Sequence, residues 1–462
     1  APARVPVDVR AAGPLRVAIV GSGPSACYAA EELLGHRDLD VAITMIERLP
    51  VPLGLVRYGV APDHQRTKAV SGAFGRTLAR RQVSLELNVE VGVHISDEEL
   101  LAHHHAVVYA TGATRGRALG IPRQDLPGVH SASDFVAWYN GHPEQAGRRF
   151  DLSAERAVVV GNGNVALDVA RILVSDPDVL SRTDIAEHAV HALRASRIRE
   201  VVIVGRRGPE AAACTVPELL GLGRLPDVDI VVGPRVEVAG TGDVDARRKA
   251  RAIAELAARP RRESARRIRF EFLRAPRAVH GSARVESIDL AHNDVIEDGN
   301  GAVELRETGV VDRLPCGLVL TAIGYRSSPI DGLPYANATG TIPHERGRVV
   351  AGDGRPLSGR YVAGWIKRGP SGVIGTNKHC SAETVASLLA DFAAGMLPAP
   401  SRSASDLEAL LAARQPLRVG KQGWKAIDAA ERRNGRAARR PRLKFAETTA
   451  MLRAAGALTG DC

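Results

Sequence analysis

The stretch Leu15-Arg-Val-Ala-Ile-Val-Gly-Ser-Gly-Pro-Ser-Ala26 runs from an apolar strand straight into a Gly-rich turn. Leu15 to Val20 predicts a short buried strand, and Cys27 to Leu34 continues as a helix. A second apolar strand, Val41 to Ile46, ends at Glu47. Strand, glycine turn, helix, strand and terminal acid make a mononucleotide-binding unit, in which a pyrophosphate sits on the free N–H groups of the helix. Gly21 permits the tight turn, Gly23 lets the backbone approach the phosphates, and Ala26 keeps the helix close to the sheet. Glu47, 26 residues after Gly21, is placed to accept hydrogen bonds from ribose hydroxyls. The bland alternative is the same turn without a ligand, because such turns need glycine for steric reasons alone.

The pattern recurs. Ala157 to Val160 is a strand, Gly161-Asn-Gly-Asn-Val-Ala166 the turn, Leu167 to Val174 the helix, and Glu200 to Val204 a strand running into Gly205-Arg-Arg207. Two arginines stand where an NAD-binding unit places its acid, and guanidinium groups suit the 2′-phosphate of NADP through charge-assisted contacts. Arginines at a strand end also form solvated edges, so both readings stand. Gly161 and Arg206 are 45 residues apart, well beyond the usual spacing, which an added helical arm over Asp178 to Arg197 explains.

Ala106-Val-Val-Tyr-Ala-Thr-Gly112 and Gly317-Leu-Val-Leu-Thr-Ala-Ile-Gly324 read as buried strands closing on small-residue turns where the chain crosses between domains. The expected fold is α/β with mostly parallel sheets and two Rossmann-like, dinucleotide-binding domains. The second domain, residues 114–328, is inserted into the first, residues 1–113 and 329–462. After Leu397 a Pro-, Ala- and Arg-rich extension, with helices around Ser405–Arg414 and Lys421–Arg432, reads as peripheral.

With 462 residues, 45% hydrophobic and 25% charged, the composition is that of a folded multi-domain protein. No apolar run is long enough to span a bilayer, and Ala1 to Gly13 lacks a signal- or transit-peptide layout. A cytoplasmic protein is expected, or a mitochondrial-matrix one if the source is eukaryotic. Cys27, Cys214, Cys316, Cys380 and Cys462 are scattered singly without a CxxC, which argues against a dithiol redox centre and a Cys-ligated zinc or iron–sulfur site. No metal site is expected, and redox chemistry has to use a bound cofactor.

The net charge of +10 is concentrated, since Arg247 to Arg269 holds ten Arg or Lys against Glu255 and Glu263. Only seven of the 62 basic residues are Lys, so an Arg-rich solvated helix face is the plain reading and a docking surface for an acidic partner the sharper one. The stretch lacks interleaved aromatics and any nucleic-acid-binding motif, which disfavours nucleic acid as the partner. His103-His-His105 offers adjacent rather than same-face ligands and is expected at the surface.

Gly364-Trp-Ile-Lys-Arg-Gly-Pro-Ser-Gly372 followed by Val373 to Ala390 predicts a loop entering a helix near Gly372. That N-terminus would aim free N–H groups and the positive dipole end at a ligand, such as the electron-rich edge of a reduced flavin. A helix merely capped by Ser371 is the alternative.

These motifs, together with Val51-Pro-Leu-Gly-Leu-Val-Arg57, Gly59-Val-Ala-Pro-Asp-His64, Gly161 to Arg171 and Val204-Gly-Arg-Arg-Gly-Pro209, resemble in order and spacing the adrenodoxin reductase family. The likeness runs from about Leu15 to the C-terminus and is nearest to the actinobacterial branch of FprA-type ferredoxin–NADP reductases. It implies FAD contacts at Gly21, Gly23, Ser25, Ala26, Glu47, Leu55, Val91, Trp365, Gly372, Val373 and Ile374. It implies NADP(H) contacts at Asn162, Gly163, Asn164, Val165, Arg206, Arg207, Glu218 and again Gly372. His64 and Asp168 match two positions with a proton-relay role beside the flavin, although a loop histidine and a helix aspartate also serve structure alone. Asn162 stands where vertebrate members have Gln, and Ser25 where they have Ala. Gly208-Pro-Glu-Ala-Ala-Ala-Cys-Thr215 departs from the family's usual lining on the nicotinamide side.

The resemblance also implies a reaction. NADPH gives two electrons at once as hydride, and an acidic ferredoxin-type iron–sulfur partner takes one at a time, so FAD has to stand between them. Arg247, Arg248 and Arg251 would dock that partner. A flavoprotein that binds NADP as a sensor or scaffold, or another two-site flavin reductase without a ferredoxin partner, remains the alternative.

Overall fold

Every side chain of Ala106–Tyr109 and all but one of Leu15–Val20 are buried, as parallel strands covered on both faces require. The computed structural model describes residues 13–233, 243–260, 266–297 and 303–458. Arg261, Arg262 and Glu263 of the basic stretch, and Cys462, lie outside the described residues. The chain divides into two compact units, Ala1–Arg115 with Tyr325–Cys462, and Gly116–Gly324. Both crossings fall slightly inside the 114–328 read from the sequence. Two-residue strands, β5 (Arg115–Gly116) and β15 (Tyr325–Arg326), stand at them.

In the first unit β1 (Leu15–Val20), β2 (Val41–Glu47), β3 (Val83–Leu87) and β4 (Ala106–Tyr109) join β16 (His344–Glu345), β17 (Arg348–Val350) and β18 (Pro356–Val362). The sheet has seven strands in the order β16-β17-β18-β4-β1-β2-β3. From β18 to β3 it is parallel, with Leu15 opposite Val41 and Val20 opposite Ile46, and β16 to β18 form an antiparallel edge. The helix Pro24–Gly35 buries Ala26, Cys27, Ala29 and Ala30, small residues that let it lie close to the sheet and to the helix Thr376–Ala393. The C-terminal extension folds into helices Ala404–Arg414, Lys421–Ala437 and Thr448–Ala454, and its Leu407, Leu411, Val419, Ile427 and Met451 enter the core of this unit.

His103-His-His105 corrects the surface reading, because His103 and His104 are buried at the end of the helix Asp97–His103. His103 Nδ1 donates to Glu99 O at 2.7 Å, and His104 Nδ1 donates to Leu100 O at 2.8 Å while its Nε2 accepts from Thr44 Oγ1 at 3.0 Å. His105 Nδ1 accepts from Arg16 N at 3.0 Å. Imidazoles with their polar atoms satisfied in this way can be buried without penalty to hydrogen bonding.

In the second unit β6 (Val129–Ser131), β7 (Arg156–Val160), β8 (Glu200–Gly205), β9 (Val228–Val232), β10 (Arg266–Phe272) and β14 (Leu318–Thr321) form a parallel sheet in the order β6-β14-β7-β8-β10-β9. A separate antiparallel sheet of β11 (Arg274–His280), β12 (Ser287–Glu297) and β13 (Val303–Pro315) was not legible in the sequence. The arm over Asp178 to Arg197 is helical, as Pro177–Leu180 and Glu187–Arg194.

The two glycine turns use one device. A Cβ on Gly21 (φ +101°) would lie 2.6 Å from Ala110 O, and one on Gly161 (φ +118°) would lie 2.3 Å from Ala322 O. In each unit the turn therefore folds back against the backbone beyond the neighbouring strand, and only glycine fits.

Candidate functional site

In the first unit the turn after β1 delivers the helix Pro24–Gly35 with Gly23 as its N-cap and no side chain capping it. The first N–H groups of an α-helix lack intrahelical partners, so an uncapped N-terminus is a donor set for an anion. A Cβ at Gly23 would meet nothing within 4 Å, which leaves space for a ligand to approach the backbone. Glu47 closes β2 beside this turn. Its Oε2 accepts from Ser22 N at 3.2 Å and Ser22 Oγ at 2.6 Å, and its Oε1 accepts from Leu49 N at 3.1 Å. Burial pushes the Glu47 carboxyl up against these hydrogen bonds, which pull it down. Leu53 N donates to Ser22 O at 3.1 Å, so the segment leading to the half-buried Leu55 lies against the same turn. Val91, also half-buried, packs on the cluster that holds Val20, Ile46 and Ile366.

The loop from the far end of the chain converges here. The helix expected to start near Gly372 begins at Thr376 with Gly375 as N-cap, and Ser371 does not cap it. Ser371 O instead accepts from Trp365 Nε1 at 3.2 Å and from Arg368. The stretch after it therefore stays open loop, in which Gly372 and Val373 are exposed and Ile374 half-buried. Trp365 stacks on Tyr325 with ring centroids 5.8 Å apart. Asn377 Oδ1 accepts from Ser25 Oγ at 3.0 Å and from Arg368 Nη2 at 2.8 Å, and Ser381 Oγ donates to Ser25 O at 2.9 Å. Two helix N-termini, 352 residues apart in sequence, are thus pinned side by side. Arg368 and Asn377 escaped the sequence reading, since only the tertiary fold pairs them with Ser25.

The second unit repeats the donor set. The helix Asn164–Val174 starts from Gly163 without a side-chain cap, and a Cβ on Gly163 would meet only Ala213 Cβ, at 3.8 Å. Asn162 Oδ1 accepts from Ala213 N at 3.3 Å and Asn164 Oδ1 from Thr215 N at 2.8 Å. Both side chains hold the 213–215 loop, leaving the backbone of the Asn162 to Val165 turn for a ligand. Arg206 and Arg207 follow β8, both exposed, and neither guanidinium has a partner among the described residues. Asn293 Nδ2 donates to Arg206 O at 3.1 Å and Leu273 N to Arg207 O at 3.2 Å, so the backbone carrying these charges is fixed. Asp168 accepts from the buried Arg171 at 2.8 Å within its own helix, and its carboxylate lies within 4.8 Å of that of Glu218. His64 belongs to the first unit, where it precedes the short helix Gln65–Lys68 and its carbonyl accepts from Lys68 N at 3.0 Å.

The described part of the basic stretch is divided between a strand and a helix. Arg266, Arg267 and Arg269 sit on β10, where Arg266 binds Val174 O and Ser175 O, Arg267 pairs with Glu200 at 2.9 Å and Arg269 with Glu271 at 3.4 Å. Arg247, Arg248 and Arg251 are exposed on the helix Val244–Ala257, with Arg251 paired to Glu255 at 2.8 Å. The cysteines Cys27, Cys214, Cys316 and Cys380 are free and buried. Burial pushes the Cys214 thiol up to about 11 and the Cys316 thiol up to about 12, which leaves both inert.

Two uncapped glycine turns, one followed by an acid and the other by paired arginines, define a two-dinucleotide oxidoreductase. Residues 15–207 match the family model of the pyridine nucleotide-disulphide oxidoreductases. The chain is 48% identical over 450 residues to a probable ferredoxin/ferredoxin–NADP reductase of Mycobacterium leprae, covering 96% of this chain and 78% of that one. It is 41% identical over 462 residues to the mitochondrial NADPH:adrenodoxin oxidoreductase of Salvelinus fontinalis, covering 96% and 91%. The structure of Mycobacterium tuberculosis FprA in complex with NADPH superposes with a TM-score of 0.90 at 45% identity, covering 96% of this chain and 100% of that one. The chain belongs to the ferredoxin–NADP reductase family that includes FprA and adrenodoxin oxidoreductase, and it is an FAD- and NADP(H)-dependent oxidoreductase.

Among the described residues no helix is long and apolar enough to cross a membrane. The uncapped helix Pro24–Gly35, the open space at Gly23 and the carboxylate of Glu47 are the donor and acceptor set that an FAD requires, so the residues present fit the group.

Proposed function

We propose that the chain carries electrons between NADPH and a ferredoxin-type iron–sulfur protein. When bound, FAD supplies the conversion between a two-electron hydride donor and a one-electron acceptor. The backbone N–H groups of the Gly21 to Ala26 turn hold its pyrophosphate, and Glu47 exchanges its bond to Ser22 Oγ for ribose hydroxyls. The Gly372 to Ile374 loop and the N-terminus of Thr376–Ala393 bring a positive dipole end to the same place, where negative charge on a ligand is stabilised. Leu55, Val91 and Trp365 supply apolar walls.

In the second unit the Asn162 to Val165 turn holds the coenzyme's pyrophosphate. Arg206 and Arg207 take its 2′-phosphate, and Glu218 contacts the same coenzyme. His64 and Asp168 hold and move a proton in this reading. The partner docks on Arg247, Arg248 and Arg251, an acidic surface meeting a basic one. The observation that carries the proposal is the pair of exposed guanidiniums of Arg206 and Arg207, without a partner among the described residues, beside an uncapped glycine turn.

Purified protein tests it directly. Heating should release FAD, NADPH should bleach the bound chromophore, and the reduced protein should pass electrons to an added ferredoxin faster than to dioxygen. Transfer to dioxygen alone overturns the assignment.

A further inference from the structure

The first unit holds a buried charge cluster that the reaction does not use. Arg57 and Glu431 are 6% and 0% exposed and come from opposite ends of the chain. Arg57 Nη1 donates to Glu431 Oε2 at 2.9 Å, and Nη2 donates to Oε1 as the second arm of the fork. Arg442 Nη1 donates to Glu431 Oε2 at 2.6 Å, and Phe445 N donates to Oε1 at 2.9 Å. The Arg57 guanidinium also lies 5.2 Å from the Tyr58 ring centroid and 6.0 Å from that of Trp424. Lys444 Nζ, itself buried, donates to Arg57 O at 3.3 Å. Burial alone raises a carboxyl, but Arg57 and Arg442 hold Glu431 below the usual range.

What this cluster grips is the short helix Leu55–Tyr58. Its N-cap, Gly54, sits so close to the dinucleotide turn that a Cβ on it would lie 3.1 Å from Gly23 Cα. Arg57 N donates to Gly54 O at 3.1 Å, and the preceding Leu53 donates to Ser22 O at 3.1 Å. Glu431, Arg57, Gly54 and Gly23 therefore form one mechanical chain from the C-terminal extension to the flavin turn. A fork of two parallel hydrogen bonds fixes both distance and direction, which a lone charge cannot do. Buried ion pairs seldom add net stability over an apolar replacement, so specificity of geometry is the better account of this one.

We propose that Glu431 is a positioning residue for FAD, clamping the Gly54–Tyr58 segment against the Gly21–Ser25 turn through Arg57. The inference rests on the FAD site assigned above.

The test is the dissociation constant for FAD of apoprotein prepared from the full chain, with the fluorescence anisotropy of the bound flavin as a second readout. Glu431→Gln should raise the constant at least about tenfold and lower the anisotropy at a temperature where the variant is folded. Asp391→Asn is the control. It breaks another buried cluster of the same unit, in which Asp391 accepts from Arg348 and Tyr361, and it should change FAD affinity less than about twofold. Should Glu431→Gln fail to fold, Arg57→Lys keeps the charge, removes the fork and gives the same readout. Equal losses in both clusters, or unchanged affinity in the Glu431 and Arg57 variants, overturn the clamp. Wild-type apoprotein that takes up no FAD overturns the site assignment instead.

Discussion

Arg206 and Arg207 are exposed and have no side-chain partner among the described residues, while the backbone beneath them is held by Asn293 and Leu273. Charges so placed are poised for a ligand rather than spent on the fold. Replacing both with Gln should raise KM for NADPH at least about tenfold, since one charge-assisted hydrogen bond contributes roughly 1.5 to 3 kcal/mol, and leave KM for NADH within about twofold. Equal losses with both coenzymes would assign the pair to the fold. His104 makes a prediction about stability. Burial pulls its imidazole down to about 4, from an ordinary value near 6.5 in the unfolded chain. Between these values the unfolded state binds the extra proton, so the stability His104 contributes is intact above about pH 6.5 and is lost as pH falls toward 4. The loss between pH 7.5 and 5 amounts to about 2 kcal/mol. His104→Gln should shrink the difference in urea-unfolding free energy between those two pH values by about that much. An unchanged pH dependence would show that His104 titrates normally.

The helix Val244–Ala257 carries the docking reading at the scale of an element. It buries Ala250, Ala252, Ile253 and Leu256 and leaves Arg247, Arg248 and Arg251 in solvent. Steering between surfaces is screened by salt, the Debye length shrinking from about 30 Å at 0.01 M to about 10 Å at 0.1 M. Changing the three arginines to Glu should slow ferredoxin reduction several-fold at low salt and leave NADPH-dependent ferricyanide reduction nearly unchanged. A parallel fall in both activities, or in neither, would place docking elsewhere. This helix also shows why part of the molecule was legible and part was not. The glycine turns could be read because their chemistry is local, with Gly21 to Ala26 and Gly161 to Ala166 each specifying strand, turn and helix within a dozen residues. The basic stretch looked continuous in sequence, yet the structure sends Arg266, Arg267 and Arg269 into a strand whose neighbour supplies Glu200. Asn377 and Arg368 were invisible for the same reason, because their partners lie beyond any local window. The sequence places the start of the helix Thr376–Ala393 too early because Gly-Pro-Ser-Gly suits a loop as well as a cap, and Thr376 Oγ1 accepting from Val373 N at 3.1 Å settles the boundary only in three dimensions.

At the scale of the whole molecule, each unit has its own core. The clusters centred on Phe135, Leu167 and Val201 and on Val158, Val202 and Ile288 draw only on the second unit. Those holding Val17, Leu85 and Ile427, and Val20, Tyr109 and Ile366, draw only on the first. A segment that closes its own core can fold without the rest of the chain. The ends of the second unit already meet, since Arg117 N donates to Gly324 O at 3.0 Å, so excising it leaves no long tail to order. Residues 116–324 expressed alone should therefore unfold cooperatively in urea and bind NADPH while taking up no FAD. The Arg206 and Arg207 replacements should weaken that binding at least about tenfold without moving the unfolding midpoint, because neither side chain has a structural partner among the described residues to lose. NADPH affinity of 116–324 left unchanged by the double replacement would sink the 2′-phosphate assignment, and a non-cooperative transition would show that the second unit depends on the first for its core.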